Sequence, residues 1–297
     1  ESPESALEKL DAALHESMTC GQNTPVVFDE ELGEMLHRTK LLANQLRDAL
    51  VSPTDSALEV CFRPTVRTSN GVPVRAEAYL RMYSAEYGMI GAATLLPIAE
   101  ETGIACALNL FMLRAACVMA RTLLNAGCVF ESISVPLSAV QFLQKGFCTE
   151  LSALLKEYEI PANKLALEIT ESTLINSFAQ ISETLEEIAA LDMETSLSDF
   201  GTGYSGVSNI LNLPVATLKL DRLFVFQMVE DARCCGVIEG LISIAHKLGM
   251  KVIAEGVENE FQKEALTRYG CDYQQGFYYS ATLPPPELLA LFQEQLK

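Results

Sequence analysis

The sequence predicts an α/β chain: a (β/α)8 TIM-type barrel with a reversed first strand, preceded by a short N-terminal α/β segment. Three observations predict it. Eight short β-rich runs fall between residues 58 and 277, mostly separated by stretches with amphipathic helical spacing. The first two runs are joined by a short polar turn containing Asn70-Gly71, the mark of an antiparallel hairpin, whereas the longer connections that follow demand parallel strands and crossover helices. Eight strands over about 240 residues suit such a barrel.

Taken in order, residues 5–18 read as a helix, 24–29 as a short strand, and 30–50 as a second helix with Leu32, Met35, Leu36, Leu41, Leu42 and Leu46 on its apolar stripe. Val51-Ser52-Pro53-Thr54-Asp55 is a break. A piece this small cannot bury its own core, so it is expected to pack on the main body or on a partner. The eight runs are 58–62, 72–80, 132–137, 164–169, 194–199, 216–220, 251–255 and 272–277. The helices between them, such as 179–190 and 236–248, carry ordinary apolar stripes, and His246 reads as a helix-surface residue.

Bulk properties bound the function. A length of 297 residues permits one large domain or two small ones. The net charge of −18 argues against binding a nucleic acid polymer, while a small anionic ligand would need a local cluster of cations. The nine cysteines form no CxxC pair and sit among apolar neighbours, as reduced thiols of a cytoplasmic protein do; Cys234-Cys235 is a vicinal pair on a helix. Three scattered histidines argue against a histidine-rich metal site. No segment reads as a signal peptide or membrane span, because the most apolar region, 92–124, is interrupted by Glu100, Glu101, Arg114 and Arg121. No membrane insertion by this chain is therefore expected. It starts at Glu1 rather than Met and reads as a fragment, whose parent could still carry an anchor.

In a parallel barrel, chemistry gathers where strands end and βα loops begin. Glu77 lies in the second run, Glu168 ends the fourth, Ser198-Asp199 the fifth, Lys219 the sixth and Glu255 the seventh, with Gln275 in the eighth. An isolated acid in an apolar strand is costly to bury. One such residue alone would be a salt-bridged strand end. Several acids and a lysine converging on one mouth point to metal and phosphate, with Mg²⁺ or Mn²⁺ as the hard cation that carboxylates prefer. The glycines in Asp199-Phe200-Gly201-Thr202-Gly203-Tyr204-Ser205 permit tight turns near a ligand, and Glu255-Gly256 repeats the pattern of an acid followed by glycine.

From about Leu58 to Phe292 the chain resembles the EAL domain family of cyclic di-GMP phosphodiesterases. The resemblance rests on Glu77-Ala78-Tyr79-Leu80-Arg81, the stretch Leu95 to Gly103, Leu167-Glu168-Ile169-Thr170-Glu171-Ser172, Asp199 to Ser205, Leu218-Lys219-Leu220-Asp221, Ala254 to Glu258, and Cys271-Asp272-Tyr273-Gln274-Gln275-Gly276. It implies hydrolysis of cyclic di-GMP to pGpG with two Mg²⁺ or Mn²⁺ ions. It implies Glu77, Glu168 and Asp199 as metal ligands, and Lys219 and Glu255 as catalytic groups. Arg81, Glu258 and Gln275 would bind the ligand, and Glu171 would brace the loop after Asp199.

Two departures qualify this. The third strand reads Val135-Pro136-Leu137-Ser138 where the family has an asparagine ligand, and the fifth ends Ser198-Asp199 where it has two aspartates. Metal binding is then expected to be weakened. The reading that follows is a degenerate domain binding cyclic di-GMP as a receptor or regulatory module. A residually active phosphodiesterase is the alternative, and a protein-interaction domain without nucleotide the second. Residues 1–29 resemble the C-terminal end of a GGDEF-like domain, 30–56 a linking helix and 57–297 the EAL-type barrel. The implied partners are cyclic di-GMP, an upstream GGDEF-like domain and a second copy in a homodimer.

Overall fold

The computed structural model describes residues 25–51, 57–200 and 213–295, with scattered positions before residue 25. Strands β1 (Leu58–Arg67), β2 (Pro73–Ser84), β4 (Ser132–Pro136), β5 (Leu165–Thr170), β6 (Glu194–Phe200), β7 (Thr217–Leu220), β8 (Lys251–Ala254) and β9 (Tyr273–Gln274) form a closed ring. From β4 to β9 every neighbouring pair is parallel, whereas β1 runs antiparallel to both β2 and β9 and closes the barrel between them. The reversed first strand is thus observed, and the hairpin turn at Asn70-Gly71 has Gly71 at φ 68. One strand escaped the sequence reading. β3 (Gly88–Gly91) folds back on the end of β2, too short and glycine-flanked to show a period of its own.

Helices α2 (Ala92–Glu101), α3 (Ala105–Asn125), α4 (Ala139–Phe142), α5 (Phe147–Glu157), α6 (Glu171–Ala190), α7 (Arg222–Gln227), α8 (Ala232–Lys247), α9 (Glu260–Arg268) and α10 (Pro285–Glu294) accompany the strands. Their apolar faces join the outward residues of the strands in one continuous core. Helix α3 is long and apolar enough to cross a membrane by length and composition, but half of that stretch is buried inside the protein. Leu108, Met112, Ala116 and Leu123 pack into the core, and Arg114 and Arg121 on its outer face pair with Glu157 and Glu159. His246 lies on α8 as expected, bonded through Nε2 to Asp272 at 2.8 Å.

The N-terminal expectations meet a mixed outcome. The described positions between residues 7 and 18 are helical, and α1 (Glu30–Val51) forms with Leu42 and Leu46 fully buried against the barrel. The strand expected over 24–29 is absent among the described residues 25–29. An extended run becomes a strand only when an adjacent edge takes its hydrogen bonds, and none of the nine strands pairs with it. The expected reduced cysteines are free among the described residues, and burial pushes Cys61, Cys117, Cys148 and Cys271 up to about 12.

The floor of the barrel is closed by a charged network. The buried guanidinium of Arg75 bonds Glu131 at 2.7 Å and Glu194 at 2.8 Å and stacks on Tyr273 at 4.6 Å, while the Tyr273 hydroxyl donates to Glu131. Arg75 and Glu77 sit two residues apart on β2, so one strand supplies the floor and, higher up, the mouth. Arg75→Ala is expected to cost roughly 3–5 kcal/mol, as removing one partner of a buried ion pair does. The urea-unfolding midpoint of the variant measures it.

Candidate functional site

At the carboxyl ends of the barrel strands, the structure brings four sequence-predicted residues into contact. Lys219 on β7 points into the barrel, and its Nζ lies 3.0 Å from Glu77, 2.7 Å from Glu168 and 2.7 Å from Glu255. Strand register explains the convergence. Glu77 faces Arg63 across the β1–β2 ladder and Ser134 on β4, Glu168 is level with Pro136 and Ser196, and Glu255 follows the last residue of β8. Lys219 is essentially fully buried, as is Glu168.

Burial opposes charge on every one of these groups, and the neighbours decide the outcome. For Lys219, desolvation is outweighed by Glu168, Glu255 and Glu77, which hold its pKa well above the ordinary lysine range. Burial, with Glu77 and Glu255 nearby, pushes Glu168 up to about 7 despite Lys219. Burial and the neighbouring Glu77 likewise raise Glu255. For Glu77, burial loses to Lys219 and Arg63, and its pKa falls.

The remaining candidates lie around this cluster. Asp199, the penultimate residue of β6, has φ 55 and lies within an irregularity in the β6–β7 register between Leu197 and Phe200, and burial raises its pKa, with Asp221 adding to the effect. A bulge at the rim of a barrel re-aims side chains, here at the end of the strand where the loop begins. The loop residues 201–205 singled out in the sequence lie outside the described residues. Glu171 is buried at the start of α6. Gln275 is buried with Nε2 bonded to Thr65 at 3.0 Å. Glu258 is exposed and lines a pocket with Glu255. Arg81 bonds Glu59 through Nη2 at 2.7 Å, while its Nε is buried without a partner.

The two departures occupy the wall of the same mouth. The β2–β4 ladder ends at Ser134, so Pro136 forfeits no hydrogen bond there, and Leu137 resumes the bond to Glu168 at 3.0 Å. Ser198 is buried, with Oγ 3.4 Å from the Ile169 carbonyl.

Two cations at the mouth were missed by the sequence reading. Arg63 and Arg222 line the pocket that holds Glu255, Gly256, Glu258, Gly276, Phe277 and Ser280. Arg63 was overlooked because the first β-rich run was ended at Phe62; alternation from Cys61 would have placed it on the inner face. Glycine is required beside them. At Gly256, φ is 74, and a Cβ there would stand 2.7 Å from the Cβ of Arg222. A Cβ at Gly276 would strike the backbone of Val257.

The donor set does not fit a pair of divalent ions. Pro136 offers no side-chain ligand and Ser198 no carboxylate, and the point on which Glu77, Glu168 and Glu255 converge is taken by the Lys219 ammonium. Among the described site residues Glu168 Oε1, Gln275 Oε1 and Arg81 Nε are buried without a hydrogen-bond partner, and Glu168 Oε1 is the carboxylate position open to a cation or water.

Comparison with known proteins places this geometry. Residues 43–282 match the family model described as EAL domain, a match that begins within α1. The chain is 32% identical over 280 residues to the bifunctional diguanylate cyclase/cyclic di-GMP phosphodiesterase MucR of Pseudomonas aeruginosa, covering 94% of this chain and 40% of that protein. It is 31% identical to the cyclic di-GMP phosphodiesterase NbdA of the same organism, covering 99% of this chain and 37% of that one. The chain thus spans about two fifths of the length of these relatives. The structure described as the PaMucR phosphodiesterase in complex with c-di-GMP superposes with a TM-score of 0.79 at 33% identity, over 84% of this chain and 99% of that one.

Glu168 binds its proton more tightly folded than unfolded, so it favours the fold at low pH and that contribution is lost as pH rises from 4.5 toward about 7. The parent is expected to lose stability over this window more steeply than Glu168→Gln, with Glu255 leaving a residual slope in the same direction. Urea midpoints measured across pH in chelator test this. Equal slopes would place the titration elsewhere.

Proposed function

The chain belongs to the EAL domain family, and from that membership we propose that it binds cyclic di-GMP as a receptor or regulatory module rather than turning it over as an efficient phosphodiesterase. The observation that carries the reading is the wall of the mouth, where Pro136 and Ser198 offer neither an amide nor a carboxylate ligand. Two-ion hydrolysis needs carboxylates free to hold metals that generate the nucleophile and stabilise the leaving group. In this mouth Glu77, Glu168 and Glu255 all bond Lys219, and the wall positions that would add ligands carry Pro136 and Ser198.

On this reading Glu77, Glu168 and Asp199 retain a weakened Mg²⁺ or Mn²⁺ site, with Glu168 Oε1 as its open position. Lys219 and Glu255 are the remnants of the catalytic pair. Arg81, Glu258 and Gln275 surround the ligand, and Glu171 braces the loop that leaves Asp199. The relatives named as phosphodiesterases, and the neighbour described in complex with c-di-GMP, support the ligand class. A GGDEF-like domain, suggested by residues 1–29, and a second copy of the chain are the macromolecular partners we propose for a cytoplasmic signalling protein.

Calorimetric titration with cyclic di-GMP and an assay for pGpG test the reading together. Saturable binding is expected, with turnover far below the roughly 1 per second of ordinary enzymes. Absence of binding would overturn the receptor reading, and turnover at enzymatic rates would replace it with the phosphodiesterase.

Restoring ligands supplies a second test. Pro136→Asn combined with Ser198→Asp is expected to strengthen Mn²⁺ binding and raise pGpG formation above the parent's, with Ser198→Asp contributing more because a carboxylate there can serve two metals. A folded double variant that binds cyclic di-GMP yet forms no more pGpG than the parent would show that the block lies outside these two positions.

A further inference from the structure

Arg63 is an open cation of the mouth among the described residues. Its guanidinium lies over the ring of Tyr79 at 4.8 Å, an approach that attracts the charge to the aromatic face. The geometry follows from the ladder: Cys61 is opposite Tyr79, so Arg63 is its diagonal neighbour, within reach of long and aromatic side chains. Tyr79 is fixed from its far end as well. Its hydroxyl sits where a Cβ on Gly91 would stand 3.0 Å away, so glycine on β3 gives it room without a shift. Arg63 also faces Glu77 directly across the β1–β2 ladder and lines the pocket beside Glu255.

The contrast with Arg81 is informative. Arg81 is tied to Glu59 at 2.7 Å, whereas among the described residues Arg63 has no carboxylate within ion-pairing distance. A guanidinium stacked on an aromatic ring keeps its N–H edge free for an oxyanion. Lys219 and Arg63, with Arg222 lining the same pocket, stand beside the carboxylates Glu77, Glu168 and Glu255. Part of the negative charge at the mouth is met by side chains of the chain itself.

We propose that Arg63, held by Tyr79, is the principal phosphate anchor of this site and lets a cyclic dinucleotide phosphodiester bind without a metal ion. This rests on the cyclic di-GMP reading given above and deepens it. Tyr79 acts through Arg63: it aims the guanidinium at the mouth and does not itself contact phosphate in this account.

The test is calorimetry with cyclic di-GMP on this chain, in EDTA and in Mg²⁺. The parent is expected to give dissociation constants within about twofold of each other in the two buffers. In EDTA, Arg63→Gln is expected to weaken binding at least about tenfold, the loss of one charge-assisted contact, and more than Arg81→Ala does. Tyr79→Phe keeps the ring and should bind like the parent, while Tyr79→Leu should weaken binding severalfold. Far-ultraviolet circular dichroism and melting temperature establish that each variant is folded, and the parent comparison in EDTA needs no variant. Binding that vanishes in EDTA and returns with Mg²⁺, or an Arg63→Gln constant within twofold of the parent's, would overturn the anchor while leaving the receptor reading intact. Failure of the parent to bind in either buffer would overturn both.

Discussion

A buried ammonium is the constraint around which this molecule is arranged. Lys219 has almost no access to water, and an unpaired charge there would be far too costly to bury. Glu77, Glu168 and Glu255 come from three other places in the barrel to satisfy it. Their own mutual repulsion in turn requires a cation at the centre. Each group is tolerable only because the others are present, so the cluster ties together β2, β5, β7 and the end of β8. Pairing of this kind fixes which strands must adjoin more than it adds net stability.

The reversed first strand has a functional consequence. A parallel strand at this place would present its carboxyl end to the mouth. Because β1 runs the other way, the mouth is lined instead by residues from its first half and middle, Glu59, Cys61 and Arg63, opposite Arg81, Tyr79 and Glu77. The tight ladder brings a second cation to within one diagonal of the carboxylate cluster and stacks it on Tyr79. β2 does double duty, with Arg75 sealing the floor and Glu77 entering the mouth. The floor is closed by hydrogen bonds and ion pairs between charged residues, the mouth by charges left partly open toward a ligand.

The departures from the family pattern and the observed packing agree in direction. Pro136 is accommodated where the β2–β4 ladder has already ended, so the strand loses nothing by it. Ser198 keeps a weak contact to the Ile169 carbonyl in the wall and brings no charge. Neither position carries a carboxylate, so neither adds a negative charge that Lys219 would have to balance.

Alternation and composition in the sequence determined the barrel, the antiparallel hairpin and the strand-end location of Glu77, Glu168, Lys219 and Glu255. These are local signals: period-two alternation, a turn dipeptide, and charged residues in apolar runs. The resemblance of seven short motifs supplied the family and, with it, the ligand class we propose. Tertiary structure alone decided which atoms meet. That Lys219 takes three carboxylates, that Arg81 bonds Glu59 while Arg63 rests on Tyr79, and that Gly91 makes room for that ring all depend on register between segments far apart in the chain. The same physics removed the strand expected over 24–29 and added β3, because a strand exists only with a neighbour to bond, and neighbours are a property of the folded chain.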